Sequence, residues 1–411
     1  MANSFYTTDK ILTESIMLLE NEMVMGNAVH TDYSSEINAS TGSTIDIRRP
    51  VQYEGVDDNI DITGVRRDIE QATIPITMDK TCTVPVQIGA LERTFDFDRF
   101  SKEILQPAMV TLKDKIETHI ASKYVDFYHF TGTPGTVPAT FKSLGGMGAV
   151  LTDGAVPNSG RVAFHGTDAS LELADGLKGV YVSEKAKTAF EEAEIGRYGG
   201  FMNYETVYAP THTVGAHGGT PLVNGGSQNT TYALSKNTWS QSLVTDGWTN
   251  STTGILKAGD VFTIAGVNAV NPVSREDTGR LQTFVVKADA DSGASTGPAT
   301  LTISPPIITS GGYQTVTAAP ADNAAITVKT GTAGSSYKQS LMLNPKAIAL
   351  VTRKLDIPNG AGVKTSTKSG NKVTVSCTEF VDGNTLAQTY RFDILYKAET
   401  VDPRMGGRLT N

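Results

Sequence analysis

RFSKEILQPAMVTLKDKIETHIASKYVDFY, residues 99–128, is the stretch on which the reading of the fold turns. Met109, Leu112, Ile116, Ile120, Tyr124 and Phe127 recur every three or four positions, so in a helix they line one face. Lys113, Asp114, Lys115, Glu117 and Lys123 decorate the other faces. Pro107 fits the first turn of the main helix, where its missing N–H is no loss. The spacing predicts a helix running to about Tyr128; at ~20 residues it would be roughly 30 Å long. Gly132-Thr133-Pro134-Gly135 ends it.

Upstream of this helix the chain does not read as self-sufficient. Residues 1–44 look like an arm, with Ile11, Leu12, Ile16, Leu18, Leu19 and Met23 at roughly helical spacing. Residues 45–80 read as two extended segments around a charged hairpin. Ile45 to Tyr53 is the first and Ala72 to Met78 the second; Ile74, Ile76 and Met78 alternate, and Pro75 demotes that strand to an edge. The hairpin between them carries Glu54, Asp57, Asp58, Asp61, Arg66, Arg67, Asp68 and Glu70, and it has too little apolar content to fold alone. Arms and edges of this kind invite pairing with other chains.

Downstream the pattern is mixed. Ser183–Ala193 reads as a short helix, Ile195 to Phe201 as a turn-rich element and Asn203–Val207 as a strand. From 224 to about 335 the chain is rich in Gly, Thr, Ser, Asn and Val. Val261–Ile264, Thr283–Val286, Thr300–Ile303 and Ala325–Val328 are short strands divided by turn residues, which predicts a small β-barrel or sandwich. Leu343–Val351 reads as a turn and a strand, Lys372–Thr378 as a strand, and Tyr390–Tyr396 alternates with Tyr390, Phe392, Ile394 and Tyr396 on one face. The fold class is therefore α+β, interrupted by an all-β insertion.

Composition excludes several function classes. At 411 residues, with 39% hydrophobic and 19% charged residues, two or three folded units are expected. The net charge of −8 and scattered basic residues, with arginine pairs at Arg48–Arg49 and Arg66–Arg67, disfavour tight nucleic-acid binding. Cys82 and Cys377 are distant in sequence, so they read as structural thiols of a reducing cytosol. The N-terminus has no basic region followed by an apolar stretch, and no run approaches a membrane span. The six histidines show no HExxH or HxxxH spacing; His212 and His217 read as a pair of loop histidines rather than metal ligands. Gly145-Gly146-Met147-Gly148 lacks the setting of a phosphate loop. No catalytic residue, cofactor or metal is expected, and the chain does not read as an enzyme.

The order of elements resembles the HK-97-type phage capsid fold, in which an N-arm, an extended loop and a spine helix precede an axial domain. Phe100 to Met109 with Leu112 and Lys115-Ile116 is similar to the spine-helix start of the P-22-like coat branch. Ile195 to Phe201, Pro210 to Gly215, Leu256 to Val267, Arg280 to Val286, and Tyr390 to Tyr396 with Pro403 and Gly406-Gly407 resemble that branch too. The resemblance implies an N-terminal arm (1–44), an extended loop with flanking strands (45–80) and a peripheral domain with the spine helix (81–145). It further implies a first axial part (146–223), an inserted β-barrel-like domain (224–335), and an axial and peripheral return with the C-terminal strand (336–411). The implied function is a major capsid protein whose pentamers and hexamers close an icosahedral shell around double-stranded DNA. The eight charged loop residues would make inter-subunit contacts. The implied partners are other copies of the chain, a separate scaffolding protein, a portal and a decoration protein, with packaged DNA touching the inner face weakly. The protein would be made and assembled in the bacterial cytoplasm, through a procapsid, and reside in the virion. Residues 51–79 contain no lysine, so covalent welding through the loop is not expected. The alternatives are a tail-tube or fibre protein, against which the long helix argues, and a carbohydrate-active or binding protein, for which no paired carboxylates speak.

Overall fold

The computed structural model describes residues 8–35, 43–49, 51–53, 55, 69–88, 101–176, 196–355, 363–370, 372–381 and 388–411; the helix expected over Ser183–Ala193 lies outside these residues. The chain divides into two units, the first made of Met1–Asp46, Pro75–Ala121 and Ile348–Glu399, the second of Ile47–Ile74, Ser122–Ala347 and Thr400–Asn411.

In the first unit a π-helical turn, Ser101–Leu105, runs into the α-helix Gln106–Ser122. Pro107 sits in its first turn, and Met109, Leu112, Ile116 and Ile120 are fully buried, as their spacing predicts. Two features differ from the sequence reading. Glu117, expected on a solvent face, is also completely buried. The α-helix stops at Ser122 and tightens into a 3-10 turn, Lys123–Asp126, after which Phe127 is extended. That change of winding takes the chain off the 3.6-residue period, so Tyr124 is only half-buried while Phe127 is completely enclosed.

The unit's sheet has the order Ile348–Arg353, Gln388–Thr400, Thr374–Val381, Val363–Ser369, with Lys80–Ile88 added antiparallel to Gln388–Tyr396. Tyr390, Phe392, Ile394 and Tyr396 all point into the core, as the alternation required. Lys80–Ile88, not foreseen as a strand, carries Pro85 and pairs with one strand only among the described residues. An edge is where a proline does least damage. The arm helix, Thr8–Glu22, buries Ile11, Leu12, Ile16 and Leu19 against the last two strands of this sheet. Thr44–Arg48 and Thr73–Thr77 pair as a two-stranded ribbon that buries Ile45, Ile47, Ile74 and Ile76 and leaves Pro75 exposed.

The second unit holds two sheets. One has the order His129–Thr131, Gly406–Thr410, Ser336–Leu343, Val162–His165, Phe201–Glu205, Arg197–Tyr198, and Thr211–Thr213 pairs with the outer end of Ser336–Leu343. The helix Phe141–Asp153, capped by the Thr140 hydroxyl, lays Leu144, Met147 and Leu151 into a core shared with Ala163, Leu173, Phe201 and Met342. Gly199 and Gly200, at φ +62° and +88°, make the two-residue turn between Arg197–Tyr198 and Phe201–Glu205. Both central residues of such a turn need positive φ, which glycine supplies without strain.

The other sheet follows the order Ile326–Val328, Val261–Val270, Asp277–Val286, Ala299–Ser304, Gln241–Trp248, Gly219–Val223. Its two ends meet, because Leu222 bridges Ala325 and the Val223 N–H donates to the Ala324 carbonyl. The sheet therefore closes into a six-stranded barrel, filled by Leu243, Trp248, Phe262, Ile264, Phe284, Leu301 and Ile303. Gly219–Val223 and Gln241–Trp248 were not foreseen as strands, since Gly, Pro and Asp interrupt their alternation. Closure removes the sheet edges that would otherwise pair with other chains.

Gly406 and Gly407 show how closely the last strand is packed. A Cβ on Gly406 would lie 2.4 Å from the Phe127 ring, and one on Gly407 2.5 Å from Met147 Sδ. Gly146, in the helix Phe141–Asp153, has nothing within 4 Å of that position. Urea unfolding should show Gly406→Ala losing about 1–3 kcal/mol through overpacking and Gly146→Ala gaining about 0.4–1 kcal/mol through backbone entropy.

Candidate functional site

Of the eight charged residues expected to contact other subunits, Glu54, Asp57, Asp58, Asp61, Arg66, Arg67 and Asp68 lie outside the described residues. Glu70 is described, and it sits at the root of the loop, where its backbone is used. The Tyr313 hydroxyl accepts the N–H of Gln52 at 3.2 Å and donates to the carbonyl of Glu70 at 3.3 Å. One phenol from the barrel thus holds the chain where it leaves for the loop and where it returns. Tyr313 is itself fixed by stacking on Tyr232, with ring centroids 3.5 Å apart and planes 4° apart.

Arg49 supports the same root. Its N–H donates to the Ala72 carbonyl, its Nε to the Val401 carbonyl, and its guanidinium lies 5.5 Å from the centre of the Trp239 ring. Burial lowers its pKa, with Asp402 opposing that effect. The pair Arg48–Arg49 does not by itself say which residue turns inward. Ordinary strand alternation does: Ile45, Ile47 and Arg49 share a face, whereas Asp46 and Arg48 are exposed.

The arm is held by Glu117. Its Oε1 accepts the N–H groups of Val24 at 3.1 Å and Gly26 at 3.0 Å, and its Oε2 accepts that of Met25 at 2.9 Å. These are the first N–H groups of the helical turn Met25–Ala28, which have no partner within the turn itself. Burial pushes the Glu117 carboxyl up, and the three N–H groups and Lys113 pull it back only in part. Lys113 meets Glu22 at 3.4 Å, so two positions read as solvated charges anchor the arm.

In the second unit His212 is buried in the short strand Thr211–Thr213. This corrects the reading of it as a loop histidine. Its Nε2 meets Asp260 Oδ1 at 2.9 Å and its Nδ1 meets the Tyr124 hydroxyl at 3.1 Å. Asp260 also accepts from the Thr330 hydroxyl and from the N–H groups of Gly215 and Lys257. Burial would raise its pKa, but the bonds from His212, Lys257 and Thr330 outweigh that and hold the carboxyl below its usual range. Gly259, at φ +98°, shapes the turn before Asp260, and its carbonyl accepts from Arg408 Nη2 at 2.6 Å. Arg408 is fully buried between the rings of Tyr124 and Phe130, and burial pushes its pKa down to about 10. His217 meets only a carbonyl, that of Gly331. Among the described residues no three of His, Cys, Asp and Glu are grouped to hold a metal. These arrangements hold parts of the chain together.

Residues 1–411 match the family model described as P22 coat protein, gene protein 5. A major capsid protein of Acyrthosiphon pisum secondary endosymbiont phage 1 is 25% identical over 388 residues, spanning 91% of this chain and 90% of that protein. A solved structure from Mycobacterium phage Che8 is 12% identical, with 94% of this chain and 90% of that one covered and a TM-score of 0.46. The CUS-3 coat protein I-domain is 27% identical, with 28% of this chain and 97% of that one covered and a TM-score of 0.20.

Two outcomes are expected of these clamps. Glu117→Ala leaves three backbone donors without their carboxylate, each costing about 1–3 kcal/mol if it stays buried. Limited proteolysis should then cut the arm near residues 20–30 much faster than in the parent, and unchanged cutting would remove Glu117 as its anchor. The second outcome concerns acid. Burial pushes His129 and His165 down to about 4, below the ordinary ~6.5 of the unfolded chain. The unfolded state therefore takes up protons that the folded state refuses, and stability falls as pH drops from about 6.5 towards 4. Asp260, whose pKa is depressed, adds a further loss below about pH 4. Glu117, whose carboxyl burial pushes up, acts in the opposite sense at the acid end, so urea midpoints should decline from pH 7 towards about pH 5, where the histidines dominate.

Proposed function

This chain belongs to the P22 coat protein family, and on that premise we propose that its extended loop clasps neighbouring copies in the phage shell. It is a major capsid protein, and its work is the assembly of many copies into the phage capsid shell. The family's role is structural. The proposed division of labour is an arm at 1–44, the loop and its flanking strands at 45–80, and a peripheral domain at 81–145. Axial parts at 146–223 and 336–411 would then flank an inserted barrel expected over 224–335, whose closing strand Gly219–Val223 begins ahead of that boundary.

The observation that supports the clasp is the Tyr313 hydroxyl, which ties the chain leaving for the loop at Gln52 to the chain returning from it at Glu70. A root fixed in this way spares the loop part of the ordering entropy of docking on a neighbour. Glu54, Asp57, Asp58, Asp61, Arg66, Arg67, Asp68 and Glu70 would form ion pairs there. One exposed pair contributes ~0–1 kcal/mol, but the contact recurs in every copy, and charge complementarity fixes register more than affinity. The clasp is non-covalent, since residues 51–79 offer no lysine. Copies would arrange as pentamers and hexamers, with a separate scaffolding protein guiding the procapsid and a portal and a decoration protein completing it. Contact with packaged DNA would be weak and non-specific, because the net charge is −8. Synthesis and assembly would take place in the host cytoplasm.

Electron microscopy of the overexpressed chain tests the assembly. Shells or capsomer rings are expected, and a dispersed monomer under assembly conditions contradicts it. The double variant Arg66→Glu with Arg67→Glu should give folded subunits that do not close shells. Normal particles from it would take the loop charges out of the mechanism.

A further inference from the structure

An asparagine followed by glycine occurs at Asn224-Gly225 and at Asn359-Gly360, and the latter pair lies outside the described residues. Asn224 stands directly after the strand Gly219–Val223, at the seam where the barrel closes. There the Val223 N–H donates to the Ala324 carbonyl, and the Val223 carbonyl accepts the N–H of Asn323. Asn224 is exposed and its own N–H donates to the Val244 carbonyl. Its side-chain amide makes no hydrogen bond among the described residues, so it is free to turn.

The peptide that joins Asn224 to Gly225 is held at both ends. Its carbonyl accepts from Gln228 Nε2 at 2.8 Å, and its N–H donates to Asp322 Oδ1 at 2.8 Å. Gln228 is fixed in turn, because its Oε1 accepts the Val244 N–H at 2.7 Å and its Nε2 also reaches the Val244 carbonyl at 3.0 Å. The other oxygen of Asp322 accepts from Asn323 Nδ2 at 2.9 Å. A donor on the amide oxygen and a carboxylate on the amide hydrogen polarise the peptide in the same direction. Charge is drawn to the oxygen, and the proton on nitrogen is loosened.

Geometry decides what this arrangement can do. In a planar peptide the N–H bond lies in the plane, and attack by the nitrogen proceeds from a face of it. Asp322 lies along the N–H bond and leaves those faces open. The side chain of the preceding residue can turn over one of them, and here it is an asparagine whose amide carbon, Cγ, is an electrophile. Gly225 has no side chain to obstruct that approach, and nothing stands within 4 Å of where its Cβ would be. A nucleophile, an electrophile and a base already bonded to the proton that must leave are thus adjacent.

We propose that Asn224 is a self-modification site, at which the fold catalyses its own deamidation with Asp322 as general base. The Gly225 nitrogen attacks Asn224 Cγ while its proton passes to Asp322 Oδ1. The N–Cγ bond forms, the Cγ–Nδ2 bond breaks, and Nδ2 takes up that proton and leaves as ammonia. Water then opens the cyclic imide at either carbonyl, giving aspartate or isoaspartate at position 224 and leaving Asp322 as it began. Either product sets a second carboxylate beside Asp322, and isoaspartate adds a carbon to the main chain next to the seam. The reaction does not depend on how copies meet in the shell.

The full chain is incubated at neutral pH, folded and in guanidinium chloride, and loss of the amide at residues 224 and 359 is followed by peptide mapping with mass spectrometry. In denaturant the two asparagines should react at similar rates, since each precedes a glycine. In the folded chain Asn224 should react at least about tenfold faster than in denaturant, a modest share of what a positioned base can supply. Between pH 7 and pH 9 its rate should change little, because the base is built in, whereas the rate in denaturant rises with hydroxide. Asp322→Asn keeps the shape and an oxygen acceptor without the basicity. It should bring the folded rate at Asn224 down to the denatured value or below and leave Asn359 unaltered. A folded Asn224 no faster than the unfolded one means that the bond to Asp322 protects the amide, and it overturns the proposal. So does an unchanged rate in Asp322→Asn, or a folded rate that follows hydroxide as in denaturant. The folded and unfolded arms use the unaltered protein, so the test stands even if Asp322→Asn disturbs the seam.

Discussion

A carboxylate with no exposure to solvent must be compensated where it sits, and Asp260 is compensated from four directions. Two backbone N–H groups, one hydroxyl and one imidazole converge on it. Those partners come from a barrel turn, the end of the barrel sequence and the short strand Thr211–Thr213, and His212 passes the link on to Tyr124 after the spine helix. Removing any one leaves a buried charge short of a partner, which costs more than the bond itself returns. The inserted barrel is therefore tied by chemistry to the sheet from which it departs, and not merely strung on a linker. Arg408 adds to this by spending one guanidinium nitrogen on the turn's own carbonyl.

Glu117 follows the same logic in the first unit, with a shorter reach. A buried carboxylate on the spine helix supplies what the first N–H groups of a four-residue helical turn lack. An arm that would have little stability alone is fixed by one side chain and by the apolar face of Thr8–Glu22. The extended loop is treated differently. Among the described residues its root is gripped by Tyr313 and Arg49, and its charges are proposed to meet neighbouring copies. The capsid protein thus uses buried charge where parts of one chain must stay together. Screening makes exposed pairs weak one at a time and reversible during assembly.

The amino-acid sequence by itself determined the elements that bury a continuous face. The spine helix, the arm helix, the alternating strand Tyr390–Tyr396 and the four central barrel strands all follow from apolar spacing, because burial acts on whole faces with a fixed period. The order of its motifs pointed to the capsid family. Tertiary structure alone decided the rest. Glu117 and His212 look like surface residues in sequence, and only partners more than forty residues away make them anchors. Gly219–Val223 becomes a strand because it closes a barrel, and Lys80–Ile88 because a long strand offers it an edge. The root of the extended loop was invisible for the same reason: a tyrosine 243 residues from Glu70 holds it. Local patterning records what a segment must bury, and which distant group will satisfy a buried polar atom is settled only when the chain has folded.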